Sequence, residues 1–191
     1  MRSNETWTGR KLCSLLVTIV ALLSLSACSR LQPATPARTV AEKSTTAQVI
    51  EGRVVGVVDG DTIDVLDASN TQTRIRIRGI DAPEKAQAFG SASKQQMSSL
   101  AFNRNVRVSW QEKDRYGRTL GRVDVDGRDV GLQMVQAGMA WHFKRYVDSQ
   151  PPEERIAYAN AELEARRSKT GLWADASPVA PWDYRKSKRE Q

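Results

Sequence analysis

The fold is decided by the stretch VIEGRVVGVVDGDTIDVL, residues 49–66. Its first part, Val49 to Val58, is dense in β-branched side chains, which favour an extended strand. Asp59-Gly60 follows, a pair that is typical of tight hairpin turns. From Thr62 to Leu66 the apolar and polar side chains alternate, as they do in a strand with one buried face. The stretch therefore predicts a β-hairpin.

Three more strands follow the hairpin. Asn70 marks a second turn, and within Thr73–Arg78 the isoleucines lie on one face of the predicted strand and the arginines on the other. Two further strands are predicted at Asn105–Gln111 and Arg118–Val125, and the second of them ends at the turn signal Asp126-Gly127. The sequence thus predicts five short strands.

Helical signals interrupt and follow these strands. Ser91–Phe102 is predicted to be a helix that directs Met97, Leu100 and Ala101 toward the core. Two more helices are predicted, one capped by Asp129 and ended by Gly138 after Ala137, the other running from Pro152 to about Lys169 and closed by Gly171. Five strands broken by one helix and followed by two others predict a small closed β-barrel of the OB type with about three packed helices.

Packing or surface roles are expected for two tryptophans and for the C-terminal segment. Leu172-Trp173 is predicted to plug against the barrel, and Trp110 is predicted to lie in the core. Residues 176–191 form a basic tail. Its most basic part, Arg185–Arg189, is predicted to be solvated or to touch nucleic acid or anionic lipid.

Composition limits the classes of function. The chain has 191 residues and a formal net charge of +7, which points to polyanionic partners or anionic lipid. The length fits one domain with an appendage. A content of 40% hydrophobic and 27% charged residues excludes wholesale disorder and a polytopic membrane protein. The single His excludes reactions that need two imidazoles and zinc sites that need several histidines.

Residues 1–27 have the pattern of an export signal. Basic residues flank an apolar run from Leu12 to Leu25, which is too short for a comfortable membrane span. The run ends in Leu25-Ser26-Ala27-Cys28, which resembles a bacterial lipobox; the alternative is a plain signal peptide with a chance cysteine. The resemblance implies that Cys28 becomes the first mature residue, carries acyl chains and anchors the protein to the cell envelope.

An anchor on Cys28 has further implications. Because Cys13 lies in the segment that is removed, no disulfide can form. Ser29 after the cysteine resembles the outer-membrane sorting pattern of Gram-negative lipoproteins. Residues 1–27 carry a net charge of +2, so the mature chain keeps about +5. Residues 28–47 then contain the lipidated cysteine and a tether rich in Ala, Thr, Ser and Pro, with a typical reach of about 25 Å.

Four segments place charged or aromatic residues at turns and strand ends, and each is a weak signal alone. Together, in this order around a five-stranded pattern, they closely resemble the staphylococcal nuclease (thermonuclease) family over about residues 48–175. The resemblance implies the barrel of that family and its nuclease activity. The segments are Val58–Thr62, Arg76 with Ile80–Glu84, Asp114–Arg118 and Gly138–Trp141.

The resemblance also implies a Ca²⁺ site. Asp61 and Asp81 offer the hard oxygen donors that Ca²⁺ prefers, and in the family a backbone carbonyl at the position of Ala82 completes the site. Residue 82 is Ala where the best-known member has Thr, a change that a carbonyl ligand tolerates. Asp59 and Thr62 would hold water bound to the metal.

Catalytic and substrate-binding roles follow from the same resemblance. Arg76 and Arg118 would grip the phosphodiester and neutralise charge as the transition state forms. Glu84 would be the general base for the attacking water. Three residues are expected to contact the nucleotide, the tyrosines by stacking on a base: Arg115, Tyr116 and Tyr146.

The sequence departs from the family pattern in two places. A family tyrosine position near Tyr146 is Lys144 here, and the loop after Glu84, residues 85–90, is shorter. Both changes bear on substrate preference rather than on chemistry.

Other polar residues near these motifs are expected to be structural. Arg74 and Arg78 share a strand face with Arg76, and they are predicted to be solvated or ion-paired. His142 lies beside Trp141 and is predicted to support the fold.

The sequence therefore predicts a lipid-anchored, monomeric, Ca²⁺-dependent nuclease that acts on DNA, RNA or both. Water would attack phosphorus and the 5′ oxygen would leave, so that 3′-phosphate ends remain.

The alternative is a non-catalytic OB-fold lipoprotein that binds nucleic acid, which would be expected to lack the carboxylates or arginines of the site. A structural envelope lipoprotein would explain the anchor but not the site. The carboxylates and arginines expected of a catalytic site are all present: Asp61, Arg76, Asp81, Glu84 and Arg118.

Overall fold

The computed structural model describes residues 47–191. The predicted signal segment, Cys28 and the tether up to residue 46 lie outside the described residues. Strands and helices in chain order are β1 (Gln48–Val57), β2 (Thr62–Asp67), β3 (Gln72–Ile77), β4 (Ile80–Asp81), α1 (Gly90–Ala101), β5 (Asn105–Lys113), β6 (Thr119–Val125), β7 (Arg128–Asp129), α2 (Val130–Gln136), β8 (Trp141–His142), α3 (Pro152–Arg167) and α4 (Pro181–Arg189), with 3₁₀ segments at Lys144–Ser149 and Gly171–Ala174.

Five strands close into a barrel through one parallel pair. Antiparallel pairing joins β3 to β2, β2 to β1, β1 to β5 and β5 to β6. β3 then pairs in parallel with β6, so that Ile75 lies opposite Thr119 and Ile77 opposite Gly121. The predicted five-stranded barrel is confirmed. Residues 47–191 contain four α-helices where the sequence predicted about three.

Branched side chains fill the interior of the barrel. Ile75 and Ile77 of β3 are buried, and the arginines that alternate with them lie on the other face, as predicted. Ile63 and Val65 of β2 are also fully buried in this cluster. Met97 of α1 packs into the same core, which agrees with the predicted inner face of that helix.

The three predicted helices are confirmed, and each begins and ends close to its predicted position. Asp129 caps α2 as expected, because its carboxylate accepts a hydrogen bond from the backbone N–H of Leu132 at 3.1 Å. The same buried carboxylate accepts the hydroxyl of Tyr158 at 2.9 Å. One side chain therefore ties the start of α2 to α3.

A two-stranded sheet that the sequence did not indicate holds the chain after β3. β4 pairs antiparallel with β8, so that Ile80 lies opposite His142 and Asp81 opposite Trp141. Both strands are buried. This pair fixes the backbone on which Asp81 stands.

The C-terminal expectations need correction. Leu172 and Trp173 do not plug against the barrel; they lie in a second apolar cluster with Trp141. The tail is not simply solvated, because α4 packs Trp182 against Trp141 with 5.4 Å between ring centroids. Indole rings supply enough apolar area to dock a polar helix. Trp110, predicted to lie in the core, is only half-buried.

No helix within residues 47–191 combines the length and the apolar character needed to cross a lipid bilayer.

The turn after α2 provides a test of the packing. Gly138 has a left-handed backbone with φ of 61°, and an added Cβ would lie 2.1 Å from the carbonyl oxygen of Thr170. Gly138→Ala is therefore expected to lower the free energy of unfolding by about 2–5 kcal/mol, through backbone strain and overpacking together. Urea unfolding, monitored by tryptophan fluorescence, measures this loss.

Gly127→Ala is the matched control. Gly127 also has a positive φ, 74°, but an added Cβ would meet no atom within 4 Å. Only the strain term applies, about 1–2 kcal/mol. Equal losses in the two variants would contradict the close approach at Gly138.

Candidate active site

Four parts of the fold surround one charged cavity of about 720 Å³. They are the β1–β2 turn, β3, the segment from β4 onward and the β5–β6 hairpin, and α4 adds a further wall. The cavity brings together nine of the predicted site residues: Asp59, Asp61, Arg76, Asp81, Ala82, Glu84, Arg115, Tyr116 and Arg118.

The two remaining candidates within the barrel domain lie differently. Thr62 is buried and does not line the cavity, but its hydroxyl donates to Asp61 Oδ1 at 3.0 Å. Tyr146 lies in the 3₁₀ segment Lys144–Ser149, and its role stays a prediction.

The β1–β2 turn fixes Asp61. The backbone N–H of Asp61 donates to Asp59 Oδ1 at 3.0 Å, which tightens the turn. Asp61 Oδ2 accepts the backbone N–H of Ala82 at 2.7 Å. The carbonyl of Asp61 accepts the N–H of Ile77 at 2.8 Å. The turn is therefore bonded both to the end of β3 and to the segment after β4.

Arg76 bridges the two predicted metal-binding carboxylates. Its Nη1 lies 3.1 Å from Asp61 Oδ2, and its Nη2 donates to Asp81 Oδ1 at 3.0 Å. The Arg76 side chain is only 12% exposed, and Asp81 is almost fully buried. The two ion pairs hold the buried guanidinium of Arg76 in one orientation, which limits its motion.

The β5–β6 hairpin presents the second predicted catalytic arginine. Asp114 accepts the backbone N–H groups of Tyr116 and Arg118 at 2.9 and 3.0 Å, so its side chain shapes the turn. Its other oxygen accepts Nε of Arg118 at 2.7 Å and lies 2.6 Å from Nη2. These contacts fix the plane of the guanidinium at the wall of the cavity.

Tyr116 is the exposed aromatic residue of the cavity. It is 68% exposed, and the guanidinium carbon of Arg115 lies 4.8 Å from the ring centroid. Arg118 approaches the same ring at 5.5 Å. An exposed ring flanked by two cations suits stacking on a base next to a phosphate.

Sequence reasoning missed Arg185 of α4. Its Nη1 donates to Glu84 Oε1 at 2.7 Å, and its Nη2 donates to Asp81 Oδ2 at 2.6 Å. Partial burial lowers the pKa of Arg185, but the hydrogen bonds to Asp81 and Glu84 outweigh it and raise that pKa overall. The basic composition of the tail gave no sign of this contact, which depends on how α4 docks.

The carboxylates fit a hard divalent cation. Burial raises the pKa of Asp61 to about 7 although Arg76 opposes the rise, and Asp59 and Asp81 add to it by repulsion. A cation at this point would relieve the repulsion, and carboxylate and carbonyl oxygens are the donors that Ca²⁺ prefers. No group of three or more His, Cys, Asp or Glu side chains in the described part of the chain is arranged to hold a metal; the predicted set contains two carboxylates and the carbonyl of Ala82.

Three nearby residues have the structural roles that the sequence predicted. Arg74 forms an ion pair with Asp64 at 2.8 Å, and Arg78 forms one with Glu154, also at 2.8 Å. His142 is buried, with Nε2 3.1 Å from Gln150 Oε1. None of the three lines the charged cavity.

Carboxylates that suit a divalent cation, set beside arginines that suit a phosphate, define a class of enzyme that cleaves phosphate esters. The chain matches the family model described as staphylococcal nuclease homologue over residues 74–175. It therefore belongs to the staphylococcal nuclease family, which makes it a hydrolase of the nuclease class. α4 lies beyond the matched residues.

Individual relatives cover most of the chain. An uncharacterized endonuclease of Haemophilus influenzae is 39% identical over 176 residues, which cover 92% of this chain and 86% of the relative. A micrococcal nuclease of Shigella flexneri is 43% identical over 148 residues, 72% of this chain and 82% of the relative. An uncharacterized endonuclease of Escherichia coli is 46% identical over 140 residues, 73% of this chain and 87% of the relative.

Proposed function

We propose that this nuclease is Ca²⁺-dependent, hydrolyses phosphodiester bonds of DNA, RNA or both, and leaves 3′-phosphate ends. One observation carries the proposal: the carboxylates of Asp61, Asp81 and Glu84 line the same cavity as Arg76 and Arg118. The nuclease names of its relatives agree with that chemistry.

The carboxylates of Asp61 and Asp81 and the carbonyl of Ala82 would hold the ion. Bound there, Ca²⁺ would act as a Lewis acid toward the phosphate. Asp59 and Thr62 support this set, since Asp59 accepts the backbone N–H of Asp61 and Thr62 donates to its carboxylate. The first contact fixes the backbone of Asp61 and the second orients its carboxylate.

Arg76 and Arg118 would neutralise the phosphate as negative charge accumulates on its oxygens. Each guanidinium is already fixed by carboxylates, Arg76 by Asp61 and Asp81 and Arg118 by Asp114, so little reorganisation is needed during the reaction. Preorganised donors of this kind stabilise a transition state more than a ground state.

Glu84 would accept the proton of the attacking water. The water oxygen forms a bond to phosphorus, the bond from phosphorus to the 5′ oxygen breaks, and solvent protonates the leaving oxygen. No 2′-hydroxyl takes part, so DNA and RNA are both substrates on this mechanism. Glu84 is half-buried and lines the cavity, which suits a base that exchanges protons with solvent.

Substrate binding would use the exposed side of the cavity. Tyr116 and Arg115 would take a base and an adjacent phosphate, and Tyr146 would complete the nucleotide pocket. The predicted catalytic and metal-binding residues all line one cavity of a single chain. No second copy is needed to complete the site, so we propose that the enzyme acts as a monomer.

Export and lipid anchoring at Cys28 complete the proposal. Because two or more acyl chains on one residue anchor stably, the nuclease would stay attached to the cell envelope, and to the outer membrane in a Gram-negative cell. The support is the lipobox-like sequence Leu25-Ser26-Ala27-Cys28 with Ser29 after it.

Cleavage assays test the metal and the products. The purified protein is expected to cut labelled single-stranded DNA and RNA with Ca²⁺ and to stop when a chelator is added, because the metal-binding carboxylates are then without their cation. Treatment with a 3′-phosphatase should shift the product bands. Cutting that survives chelation would contradict the metal assignment, bands that do not shift would contradict the cleavage polarity, and binding without cutting would favour the non-catalytic module.

Arg118→Lys tests the transition-state role. Lysine supplies a point charge where a planar fork is needed, so kcat should fall by about 10²–10³, with KM and thermal stability little changed. Arg74→Lys is the matched control, since Arg74 also contacts an aspartate through two nitrogens but does not line the cavity. An Arg118→Lys enzyme that retains more than about a third of the wild-type kcat would remove Arg118 from the mechanism.

Cys28→Ser tests the anchor. The variant should leave the membrane fraction and lose labelling by radioactive fatty acid, because the thiol that receives the lipid is gone. Cleavage by the released protein should equal that of the wild type. Unchanged membrane fractionation would contradict lipidation at this residue.

A further inference from the structure

α4 inserts a cation among the carboxylates of the site. Arg185 donates to both oxygens of Asp81, from Nη1 to Oδ1 at 3.2 Å and from Nη2 to Oδ2 at 2.6 Å. Its Nη1 also donates to Glu84 at 2.7 Å. One guanidinium thus joins the predicted metal ligand to the predicted general base.

The carboxylate of Asp81 accepts three hydrogen bonds from two arginines. Oδ1 accepts Nη2 of Arg76 as well as Nη1 of Arg185, and Oδ2 accepts Nη2 of Arg185. A divalent cation that approaches an oxygen of Asp81 meets a positive charge already in contact with it. The two cations repel each other, and they compete for the same lone pairs.

The two arginines differ in how easily they can withdraw. The side chain of Arg76 is 12% exposed, whereas that of Arg185 is 39% exposed and stands on a helix at the surface. α4 has a separate anchor in Trp182, which packs against Trp141 and Phe143. The Arg185 side chain can therefore leave Asp81 by rotation alone, while the helix stays docked.

From this geometry we infer that Arg185 is a built-in competitor of the divalent cation and sets the metal affinity of the site. The inference rests on the proposed metal-binding role of Asp81. Without the ion, the guanidinium bridges Asp81 and Glu84 and offsets part of their negative charge. When the ion binds, Arg185 gives up its bonds to Asp81, so the affinity that is measured includes the cost of breaking them.

Calorimetric titration with Ca²⁺ measures the competition directly, without substrate. Arg185→Gln removes the competing charge and is expected to bind Ca²⁺ roughly tenfold more tightly than the wild type. Arg185→Lys keeps the charge but loses the planar pair of donors that contacts both oxygens of Asp81, and it should bind with intermediate affinity. Lys186→Gln is the matched control, because it removes the same charge from the next residue. The side chain of Lys186 is 68% exposed and forms a long surface ion pair with Glu190, at 4.0 Å.

Thermal unfolding gives a second readout. In chelator, Arg185→Gln should melt below the wild type, since Asp81 and Glu84 lose a partner; with saturating Ca²⁺ it should show the larger rise in Tm. A variant that fails to fold would reveal itself here by the absence of a cooperative transition, and Arg185→Lys would then carry the comparison.

The outcomes separate the inference from the proposed function. Tighter binding by Arg185→Gln alone supports the competition. Equal or weaker binding overturns it, and so does an equal gain in Lys186→Gln, which would indicate a general charge effect. Absence of Ca²⁺ binding in the wild type and in all variants would contradict the proposed metal site itself, and the inference with it.

Discussion

The contact on which the site depends is the bridge from Arg76 to Asp61 and Asp81. All three side chains are largely or fully buried, with 3.1 and 3.0 Å between the paired atoms. Burying an ion in a protein is costly unless its charge is matched by well-placed partners. Removal of Arg76 would leave two carboxylates close together without their shared cation. The bridge therefore holds the β1–β2 turn, β3 and β4 in one arrangement.

Strand register decides which residues meet at that bridge. Thr62, next to Asp61, pairs with Arg76 across β2 and β3, and Arg76 pairs with Leu120 across β3 and β6. The parallel pair that closes the barrel thus carries the β5–β6 hairpin, with Arg118, to the wall of the same cavity. A slip of one residue would turn Arg76 inward and an isoleucine outward, which the buried face of β3 forbids. The strand register that closes the barrel is therefore also the register that brings the site residues together.

Much of this could be predicted from sequence because the signals are local. The alternation of isoleucine and arginine in β3 reports its buried face, and Asp129 and Gly138 mark the ends of α2. The pairing of β4 with β8 has no such signal, since strands of two residues show no periodicity. The packing of Leu172 and Trp173 into a second cluster depends on the docking of α4. The contact of Arg185 with Asp81 spans 104 residues and follows from tertiary geometry alone.

Burial sorts the charges of the cavity by depth. The carboxylates of Asp61 and Asp81 lie at 5% and 1% exposure, whereas Arg115 and Arg189 on the same cavity are exposed. The rim therefore attracts a polyanion, while the buried acids oppose the final approach of a phosphate. Burial also raises the pKa of Asp61, and repulsion from Asp59 and Asp81 adds to the rise. On the proposed mechanism a divalent cation would offset the repulsion among these carboxylates and their repulsion of the phosphate. Metal binding and productive substrate binding would therefore depend on one another through the charge of the same buried carboxylates.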